Sequence, residues 1–482
     1  MQFVAKNFMI SISEALKIIK RETFALKAET IELENSVGRI LAESVRADMD
    51  LPPFDRSQMD GFAIRTDDVK NAPVKLKIIG ESVAGKGFDG ELNSGEAVRI
   101  MTGARVPDGA DSVQKVELTT EIDGFIEISE PTKKQQNSVS RGQEIEQGAK
   151  VFKKGETITN QKIAALASFG YAKIKVFRRP RITILATGSE IVNIAETPQK
   201  DQIRNSNSAM LRAFCAPFAD VRVLTLVRDD LESLKNTIAE VCDSDYKFQI
   251  SDSKLAFVNS RFQISNSRFG KRRKAENLEL KEQSHLQVDS ENTNKSESSE
   301  QSRIPNPESR IPNGESEFWN LKADILIITG GVSVGDYDFT KPALRELGAE
   351  IFFERVNLKP GKPTVFARLK DTLVFGLPGN PVSVAVTFFL FARRAIMQMQ
   401  SAKNCDLKKG FAVCPDKIKG TKERDCYLPV SVNSNEKGQL IIESLRFSGS
   451  SNFIAFSRAD ALVFIPQGEN LEKDDVAEIL FL

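Results

Sequence analysis

Two aspartates follow a glycine-rich turn at the end of an apolar run in this sequence. Residues 325–338 read ILIITGGVSVGDYD, in which β-branched residues give way to glycines and then to acids. Glycine lets the backbone turn and expose amides, and carboxylates are ligands for a divalent cation. A tight turn whose aspartates cap the next helix, expected to begin near Thr340, is an equally good interpretation of this stretch alone. Its candidate binding residues are Gly330, Gly331, Ser333, Gly335, Asp336 and Asp338.

Two further predicted strands also end in acids. The strand in RITILATGSEIV is followed by Glu190, and the strand in VRVLTLVRDD is followed by Asp229 and Asp230. In an open parallel sheet, ligands bind beside the carboxyl ends of the strands, so these acids are expected to face one crevice together with Asp338. Each acid taken singly is explained as a helix cap, and it is their convergence that favours a site.

Two lysines bracket a stiff turn in the stretch NLKPGKPTVFA, residues 357–367. Lys359 and Lys362 flank a Pro-Gly pair there and predict a clamp for a phosphate or another oxyanion. A solvated surface turn is the alternative interpretation.

A second proline-glycine turn joins a strand to a helix in LVFGLPGNPVSVAV. Proline suits the first turn of a helix, and the free amides that follow it make an anion site. The sequence has no G-x-x-x-x-G-K-[ST] motif, so a P-loop nucleotidase is not indicated. The candidate anion-binding residues of this turn are Pro378, Gly379, Asn380, Pro381 and Ser383.

Two polar loops in the N-terminal half carry further candidates. Asp60 lies in LPPFDRSQMDGFAIR, and Thr102 follows a predicted strand in RIMTGARVPDGADSVQKVE. As isolated loops, both would be explained by turn chemistry.

The composition excludes several classes of site. The single histidine, His285, excludes Ser-His triads and His-ligated metal centres. Five cysteines without a C-x-x-C pair make a disulfide framework or a thiolate zinc site unexpected. The 67 Lys and Arg residues against 66 Asp and Glu residues leave no basic excess for nucleic-acid binding.

No segment of the sequence predicts export or membrane insertion. Lys6 and Asn7 stand where a signal peptide needs an apolar core, and Met9 is an alternative start. The longest apolar run, at 382–392, is shorter than the roughly 20 residues that span a bilayer. A soluble cytoplasmic protein is therefore expected.

The elements that position these residues alternate between strand and helix over 179–403. The strand patterns RITILATG, VRVLTLV, ADILIITGG and DTLVFGL are separated by helical patterns, which predicts a parallel doubly wound sheet. Before this region, the patterns predict helices over 11–23, 35–45 and 157–172 and short strands over 74–130.

We therefore expect an α/β multidomain protein. Residues 245–318 carry degenerate repeats such as FQIS and SRIPN within one helix-to-strand connection, and they are predicted to be a disordered insertion, with a binding arm as the alternative. The expected parts are a mixed helical linker domain (9–52 with 143–178), a β-rich N-terminal domain (53–142), a doubly wound α/β domain (179–405) and a small C-terminal β domain (406–482).

Several of these motifs together resemble one protein family. DRSQMDGFAIR, RIMTGARVPDGAD, TGSE followed by IRNSNSAML, TGGVSVGDYDFTK, KPGKP and GLPGNPVS occur here in this order. This set is similar to the MoeA family of molybdopterin molybdenumtransferases, whose eukaryotic relatives include a domain of gephyrin. The resemblance covers roughly 9–244 and 319–482. It implies that the central domain is MogA-like and that the protein is a homodimer, with the active site between the α/β domain of one subunit and the β domain of the other.

The resemblance also implies a reaction. Such enzymes take adenylylated molybdopterin and molybdate, insert the metal at the dithiolene and release AMP with the help of Mg²⁺. The molybdopterin adenylyltransferase and molybdoenzyme acceptors are the implied partners, without nucleic acid or membrane. A molybdopterin adenylyltransferase and a gephyrin-like, non-catalytic scaffold are the alternative functions.

Residue by residue, the resemblance places the functional acids on Asp60, Glu190, Asp229 and Asp338, with Glu190 and Asp338 as the metal ligands. Thr102, both lysines of KPGKP and the prolines of LPGNP also match. The family commonly reads R-x-x-G-E-D-I where this chain reads VSRGQEI, so that Glu144 replaces the usual aspartate and a changed substrate contact is expected.

Overall fold

The computed structural model describes residues 9–227, 230–242, 322–331, 338–445 and 449–482. The predicted insertion at 245–318 lies outside the described residues.

The N-terminal helix α1 (Ile12–Glu22) begins as the sequence predicts. The side chain of Ser11 caps it, because its hydroxyl accepts the amide of Glu14 at 3.1 Å. One face of α1 buries Ile12, Ala15 and Ile19 in the core of the central sheet. The helix therefore anchors the start of the described chain to the part of the fold that carries the site.

Short strands form the N-terminal half, as predicted for 74–130. Six of them build a sheet in the order β7-β4-β6-β5-β9-β8, and β1 pairs with β12, β2 with β11 and β3 with β10. The helix predicted over 157–172 is present as α2 (Asn160–Ser168). The strands are β1 (Ala28–Glu32), β2 (Val45–Arg46), β3 (Arg56–Ser57), β4 (Gly61–Ile64), β5 (Val74–Ser82), β6 (Glu96–Ile100), β7 (Ser112–Lys115), β8 (Thr119–Ile122), β9 (Phe125–Ile128), β10 (Ser138–Val139), β11 (Lys150–Phe152) and β12 (Lys173–Phe177).

The helix predicted over 35–45 is wrong. Gly38 adopts a left-handed conformation with φ of 82°, which interrupts any helix. Ile40 and Leu41 are buried and bridge to extended segments at Thr157 and Val176. Tertiary pairing has overridden the helical spacing of the apolar residues.

A six-stranded sheet forms the centre of the molecule, in the order β16-β13-β17-β21-β20-β18. The first four strands are parallel, which confirms the doubly wound prediction, and β20 and β18 extend the sheet antiparallel at one edge. The elements are β13 (Arg181–Thr187), β14 (Ile191–Val192), β15 (Ile203–Arg204), α3 (Ser206–Cys215), β16 (Asp220–Val227), α4 (Leu231–Cys242), β17 (Ile325–Thr329), α5 (Thr340–Glu346), β18 (Glu350–Phe353), β19 (Leu358–Lys359), β20 (Val365–Leu369), β21 (Thr372–Leu377) and α6 (Pro381–Met399).

Helices cover both faces of the central sheet. Ile325 and Ile327 of β17 pack into the core that includes α3 and α6, whereas Leu326 and Ile328 pack into the core that includes α4 and α5. Successive side chains of a strand point to opposite faces, so a strand buried on both faces reads as the continuous apolar run seen in the sequence.

The helix α6 is long and apolar enough to cross a membrane by length and composition, the single such helix among the described residues. Its most apolar window is 78% buried within the protein. Phe388 and Phe391 are fully buried against the central sheet. A core helix of a globular domain accounts for this segment.

The C-terminal strands close on themselves. The pairings β24–β25, β25–β22, β22–β28, β28–β26 and β26–β24 form a ring, which we call the C-terminal barrel. The elements are β22 (Lys409–Val413), β23 (Ile418–Lys419), β24 (Asp425–Ser434), β25 (Leu440–Ser444), α7 (Phe453–Phe456), β26 (Ala461–Ile465), β27 (Asn470–Leu471) and β28 (Val476–Phe481).

A buried carboxylate joins the amino ends of the central strands. Asp324 accepts two hydrogen bonds from the Arg178 guanidinium at 2.7 Å each and one from the Arg181 amide at 2.7 Å. Burial raises the pKa of this carboxyl, but the bonds from Arg178 and Arg181 outweigh it and hold the pKa below its usual value. The Asp324 side chain is only 7% exposed, so its loss would leave guanidinium charge poorly compensated.

We expect Asp324→Asn to lower the free energy of unfolding by about 3 kcal/mol, because it removes one partner of a buried ion pair. Since the folded pKa is lowered, the contribution is present above about pH 4 and is lost as the pH falls through the folded value. Urea unfolding followed by circular dichroism at neutral and acidic pH measures both effects.

The control is Asp371→Asn, which removes an ion pair with Lys322. The Asp371 carboxylate in this pair is 90% exposed. It should change the unfolding free energy by less than about 0.5 kcal/mol. Equal effects of the two substitutions at neutral pH would contradict the role given to Asp324.

Candidate functional site

A cleft of about 950 Å³ opens at the carboxyl edge of the central sheet. Its second wall is the C-terminal barrel of the same chain. Of the sequence-predicted site residues, those lining the cleft are Glu190, Gly330, Gly331, Asp338, Lys359, Lys362, Pro378, Gly379, Asn380 and Ser383.

Glycines at the strand ends are required by close backbone approach. A Cβ on Gly330 would lie 2.3 Å from the carbonyl oxygen of Thr187, and its φ is 92°. A Cβ on Gly331 would lie 2.9 Å from the hydroxyl of Thr187. The ends of β13 and β17 can meet this closely only because no side chain stands between them.

Asp338 lies in the cleft and is 9% exposed. Its Oδ2 accepts a hydrogen bond from Lys341 Nζ at 2.5 Å, whereas Oδ1 is buried without a hydrogen-bond partner. Burial raises the pKa of Asp338 and Lys341 opposes the rise, with a raised pKa as the net result. No side-chain hydrogen bond caps the start of α5, although the backbone amide of Thr340 also favours the ionised form of Asp338 and so opposes the rise of its pKa.

Glu190 follows β13 and is exposed at the same edge. Its carboxylate folds back over Gly188, where a Cβ would lie 2.7 Å from Oε2. Its carbonyl accepts the amide of Ile203 at 2.8 Å, which ties the loop after β13 to β15. The cleft therefore contains one largely buried and one exposed carboxylate.

The cationic turn belongs to both walls. Lys359 and Lys362 are exposed and line the cleft, in agreement with the clamp interpretation. Leu358 and Lys359 pair in parallel with Asp425 and Cys426 of the barrel strand β24. The turn thus presents its charges as part of the barrel's own hydrogen-bonded ladder.

The turn before α6 is also tied to the barrel side. The Asn380 amide donates to the hydroxyl of Ser450 at 2.8 Å, and the Val382 amide donates to the carbonyl of Ser450 at 3.1 Å. The first amide after Pro381 is therefore not free for an anion, contrary to the expectation from the sequence. Ser383 is 4% exposed and lines the cleft, while Pro381 does not.

Asp60 and Thr102 form a pair of their own outside the cleft lining. Asp60 Oδ1 accepts the amide of Thr102 at 2.6 Å and its hydroxyl at 2.7 Å. These two bonds lower the pKa of Asp60, so its exposed carboxylate is ionised at neutral pH. The structure brings these two predicted residues together on the N-terminal sheet, apart from the others of their own chain.

Glu144 is exposed beside the N-terminal sheet. Its nearest cation is Arg56, at 3.7 Å, and its amide donates to the carbonyl of Leu51 at 2.9 Å. The cleft lining does not include it. Four further predicted site residues, Asp229, Ser333, Gly335 and Asp336, lie outside the described residues.

Asp230, which the sequence placed beside Asp229, has the simpler role. Its Oδ1 accepts the amide of Ser233 at 2.8 Å in the first turn of α4. Asp230 therefore caps the helix, which is the alternative interpretation that the sequence offered for each of these acids alone.

The barrel contributes cations that the sequence reasoning did not single out. Lys417, Lys419 and Arg424 line the cleft, and the Arg424 guanidinium donates to the carbonyl of Leu358 at 3.3 Å. The basic stretch KIKGTKER was the available signal. It could not be assigned to the site because the face that a barrel loop presents depends on long-range pairing.

The charges of the cleft suit an anionic, phosphate-bearing ligand with a divalent cation. Lysine and arginine bind phosphate and related oxyanions by charge-assisted hydrogen bonds. Within the described residues, no group of three or more acidic, Cys or His side chains could hold a metal alone. Mg²⁺ commonly uses one or two carboxylates together with substrate phosphates, so Glu190 and the unpaired Asp338 Oδ1 fit such an ion.

Family comparisons agree with this arrangement. Residues 10–170 match the MoeA N-terminal region (domain I and II), 300–398 match a probable molybdopterin binding domain, and 412–482 match the MoeA C-terminal region (domain IV). The chain belongs to the MoeA family. The lining of the cleft includes residues of the second and third of these matched regions, together with Glu190, which lies outside all three.

Named relatives extend over almost the whole MoeA-family chain. A protein of Staphylococcus aureus (strain COL) called molybdopterin molybdenumtransferase is 29% identical over 478 residues, covering 96% of this chain and 93% of its own. A protein of the same name from Haemophilus influenzae is 29% identical over 462 residues, covering 95% of each chain.

Solved structures show the same fold. A molybdopterin biosynthesis MoeA protein from Pyrococcus horikoshii matches with a TM-score of 0.69 and 26% identity, over 98% of this chain and 99% of that chain. A second structure of such a protein from this organism gives a TM-score of 0.71 at 23% identity, over 98% and 100%.

We expect Gly330→Ala to cost about 1–3 kcal/mol more in unfolding free energy than Gly348→Ala. Both glycines have positive φ, 92° and 74°, so both substitutions carry the left-handed penalty of about 1–2 kcal/mol. Only the Cβ at Gly330 meets backbone, whereas the Cβ at Gly348 has nothing within 4 Å. Chemical unfolding of both variants measures the difference, and equal costs would show that close approach does not constrain the strand ends.

Proposed function

We propose that this MoeA-family chain is a molybdopterin molybdenumtransferase, which inserts molybdenum into molybdopterin. The names of the relatives support the activity. The observation that carries it is the cleft, whose lining brings Glu190 and Asp338 together with Lys359, Lys362 and Arg424. Acids and cations in one cleft suit a phosphate-rich substrate, a metal oxyanion and a divalent cation together.

The proposed substrates are adenylylated molybdopterin and molybdate. Both are anions, and the cations of the KPGKP turn and of the barrel neutralise their charge. Ser383 and the backbone around Gly379 complete the anion-binding surface from the side of the central sheet. Positioning two anions side by side is the main barrier here, because their like charges otherwise repel each other.

Mg²⁺ is the proposed cofactor, with Glu190 and Asp338 as its protein ligands. A bound divalent ion supplies charge for the adenylate linkage and acidifies a bound water. Asp338 offers its unpaired, buried Oδ1, while Lys341 holds Oδ2 and so fixes the orientation of the carboxylate. Hydrolysis of the adenylate linkage would place the oxygen of a water on the AMP phosphorus and break the bond from that phosphorus to the bridging oxygen, which would stay on the molybdopterin phosphate as the leaving group. A carboxylate of the cleft would accept the proton of the water, and AMP would then dissociate.

A homodimer is part of the proposal. Asp60 and Thr102 are preorganised as an ionised, exposed pair that does not line the cleft of its own chain. A second copy that set this pair against the cleft would add a third carboxylate to Glu190 and Asp338. We further propose a cytoplasmic location. The proposed partners are the adenylyltransferase that supplies the substrate and the molybdoenzymes that accept the product.

The purified protein is expected to release AMP from adenylylated molybdopterin in a reaction that requires Mg²⁺ and molybdate. Asp338→Asn and Glu190→Gln should each lower kcat by about a hundredfold or more, because each removes a charge that acts at the reacting linkage. Quenched-flow measurement of AMP by chromatography gives the rates.

The matched control is Asp371→Asn, which removes an exposed acid that the cleft lining does not include. It should leave kcat unchanged. A folded wild-type protein that releases no AMP under these conditions would exclude this activity and move the scaffold to first place ahead of the adenylyltransferase.

Mg²⁺ affinity is expected to weaken in acid at a higher pH than for an ordinary aspartate site. The metal binds the ionised carboxylate, and the raised pKa of Asp338 means that protons compete above the usual value of about 3.9. Calorimetric titration with Mg²⁺ at about pH 5 and about pH 7.5 measures the change.

Asp338→Asn should bind Mg²⁺ weakly, because the amide lacks the negative charge of the carboxylate. Its affinity should be the same at both pH values, because no proton competes at an amide. Wild-type affinity that is equal at both pH values, together with an unaffected Asn variant, would remove Asp338 from the metal site.

A further inference from the structure

One buried amide lies where three loops of the cleft meet. Asn207, in the first turn of α3, donates from Nδ2 to the hydroxyl of Thr329 at 3.1 Å and to the carbonyl of Gly379 at 2.6 Å. The Thr329 hydroxyl in turn donates to the carbonyl of Pro378 at 3.1 Å. A single side chain therefore joins the end of β17 to the turn that precedes α6.

The direction of these hydrogen bonds determines that the nitrogen of the Asn207 side chain, and not its oxygen, faces Thr329 and Gly379. The carbonyl of Gly379 can only accept, and the Thr329 hydroxyl has already given its proton to Pro378. Both groups therefore need a donor, and a side chain with two N–H groups on one nitrogen supplies it. Asn207 Oδ1, by contrast, is buried without a hydrogen-bond partner.

The third loop is the one that carries Glu190. The backbone carbonyl of Glu190 accepts a hydrogen bond from the amide of Ile203, and the amide of Asn205 donates to the carbonyl of Val192 at 2.9 Å. Asn205 also caps α3 through the amide of Ser208 at 3.0 Å. The loop after β13 thus runs directly into the helix turn that holds Asn207.

We propose that Asn207 is a positioning residue for the molybdenum-insertion reaction, and this inference rests on the function proposed above. Asn207 does not line the cleft and is not placed among the substrate-binding residues. It holds the 378–381 turn at a fixed distance from β17 and from the Glu190 loop, so that the anion-binding surface and the acids keep one relative geometry. Loosening this link weakens substrate binding before it affects the chemical step.

The burial of the group supports this role. Asn207 is 9% exposed and Thr329 is 1% exposed, so water cannot easily replace the lost donor. Asn207 is also the side chain through which α3 reaches the carbonyl groups of both Pro378, by way of Thr329, and Gly379.

The chain provides a close control at the next position. Ser208 is 4% exposed on the same helix turn, and its hydroxyl is buried without a hydrogen-bond partner. Ser208→Ala removes a buried polar atom of α3 without removing any bond to the 378–381 turn. It therefore reports on helix packing alone.

Amide hydrogen exchange of the full-length protein tests the positioning directly. In Asn207→Ala, a peptide spanning 374–387 should exchange at least about fivefold faster than in the wild type, because the turn loses its buried donor. Ser208→Ala should leave the exchange of that peptide unchanged. This measurement does not depend on activity.

Steady-state kinetics of AMP release test the consequence for substrate. Asn207→Ala should raise KM for adenylylated molybdopterin about tenfold or more with kcat within about threefold of the wild type. Asn207→Asp keeps the size of the side chain but sets a carboxylate against two acceptors. It should therefore be at least as impaired as the Ala variant, whereas a role in packing alone predicts that Asp is the milder change.

Each outcome decides one point. Unchanged exchange in Asn207→Ala overturns the inference whatever the activity. Faster exchange with an unchanged KM overturns the link to substrate. A wild-type protein that releases no AMP refutes the proposed function instead, and the exchange comparison still decides whether Asn207 holds the turn. If Asn207→Asp does not fold, the Ala variant and its Ser208 control carry the test.

Discussion

The turns after β13 and β17 approach each other too closely at the carboxyl edge of the central sheet for a side chain to stand between them, and the turn after β21 packs against them at van der Waals distance. Gly330 could not carry a Cβ because the carbonyl of Thr187 is in its place, and a Cβ on Gly379 would lie 3.8 Å from the Cα of Gly330. This contact brings the loops after β13, β17 and β21 into one surface. The position of Glu190 follows from it, since this residue comes shortly after the end of β13.

The two signs of charge in the cleft come from different structural sources. The acids are attached to the central sheet, whereas the cations stand on the barrel or on the turn that pairs with it. Packing sets the distance between the two sets of charge: Leu462 and Leu480 of the barrel share a core with α1 and α6. The electrostatic character of the cleft therefore depends on how the central region and the C-terminal barrel pack together rather than on any local motif.

The sequence predicted the parts of the site that are local. Strand, glycine and acid follow one another within a few residues at Glu190 and Asp338, and parallel strands place such endings at one edge. It could not predict Arg424, because the face of a barrel loop is decided by pairing with distant strands. The helical spacing of apolar residues predicted a helix over 35–45 that does not form. Gly38 has a left-handed conformation there, and Ile40 pairs with Thr157 instead. The antiparallel edge strands were missed because both are short and follow turns.

The short pairing of β19 with β24 has a consequence for how the family can be recombined. Two residues of the central region, Leu358 and Lys359, complete a ladder that belongs to the barrel. A chimera that joins the central region of one relative to the barrel of another must re-form this two-residue pairing if Lys359 is to keep its place at the cleft. The central region and the barrel are therefore best exchanged together. Substitutions on one side of the β19–β24 pairing must be compatible with the residues on the other side.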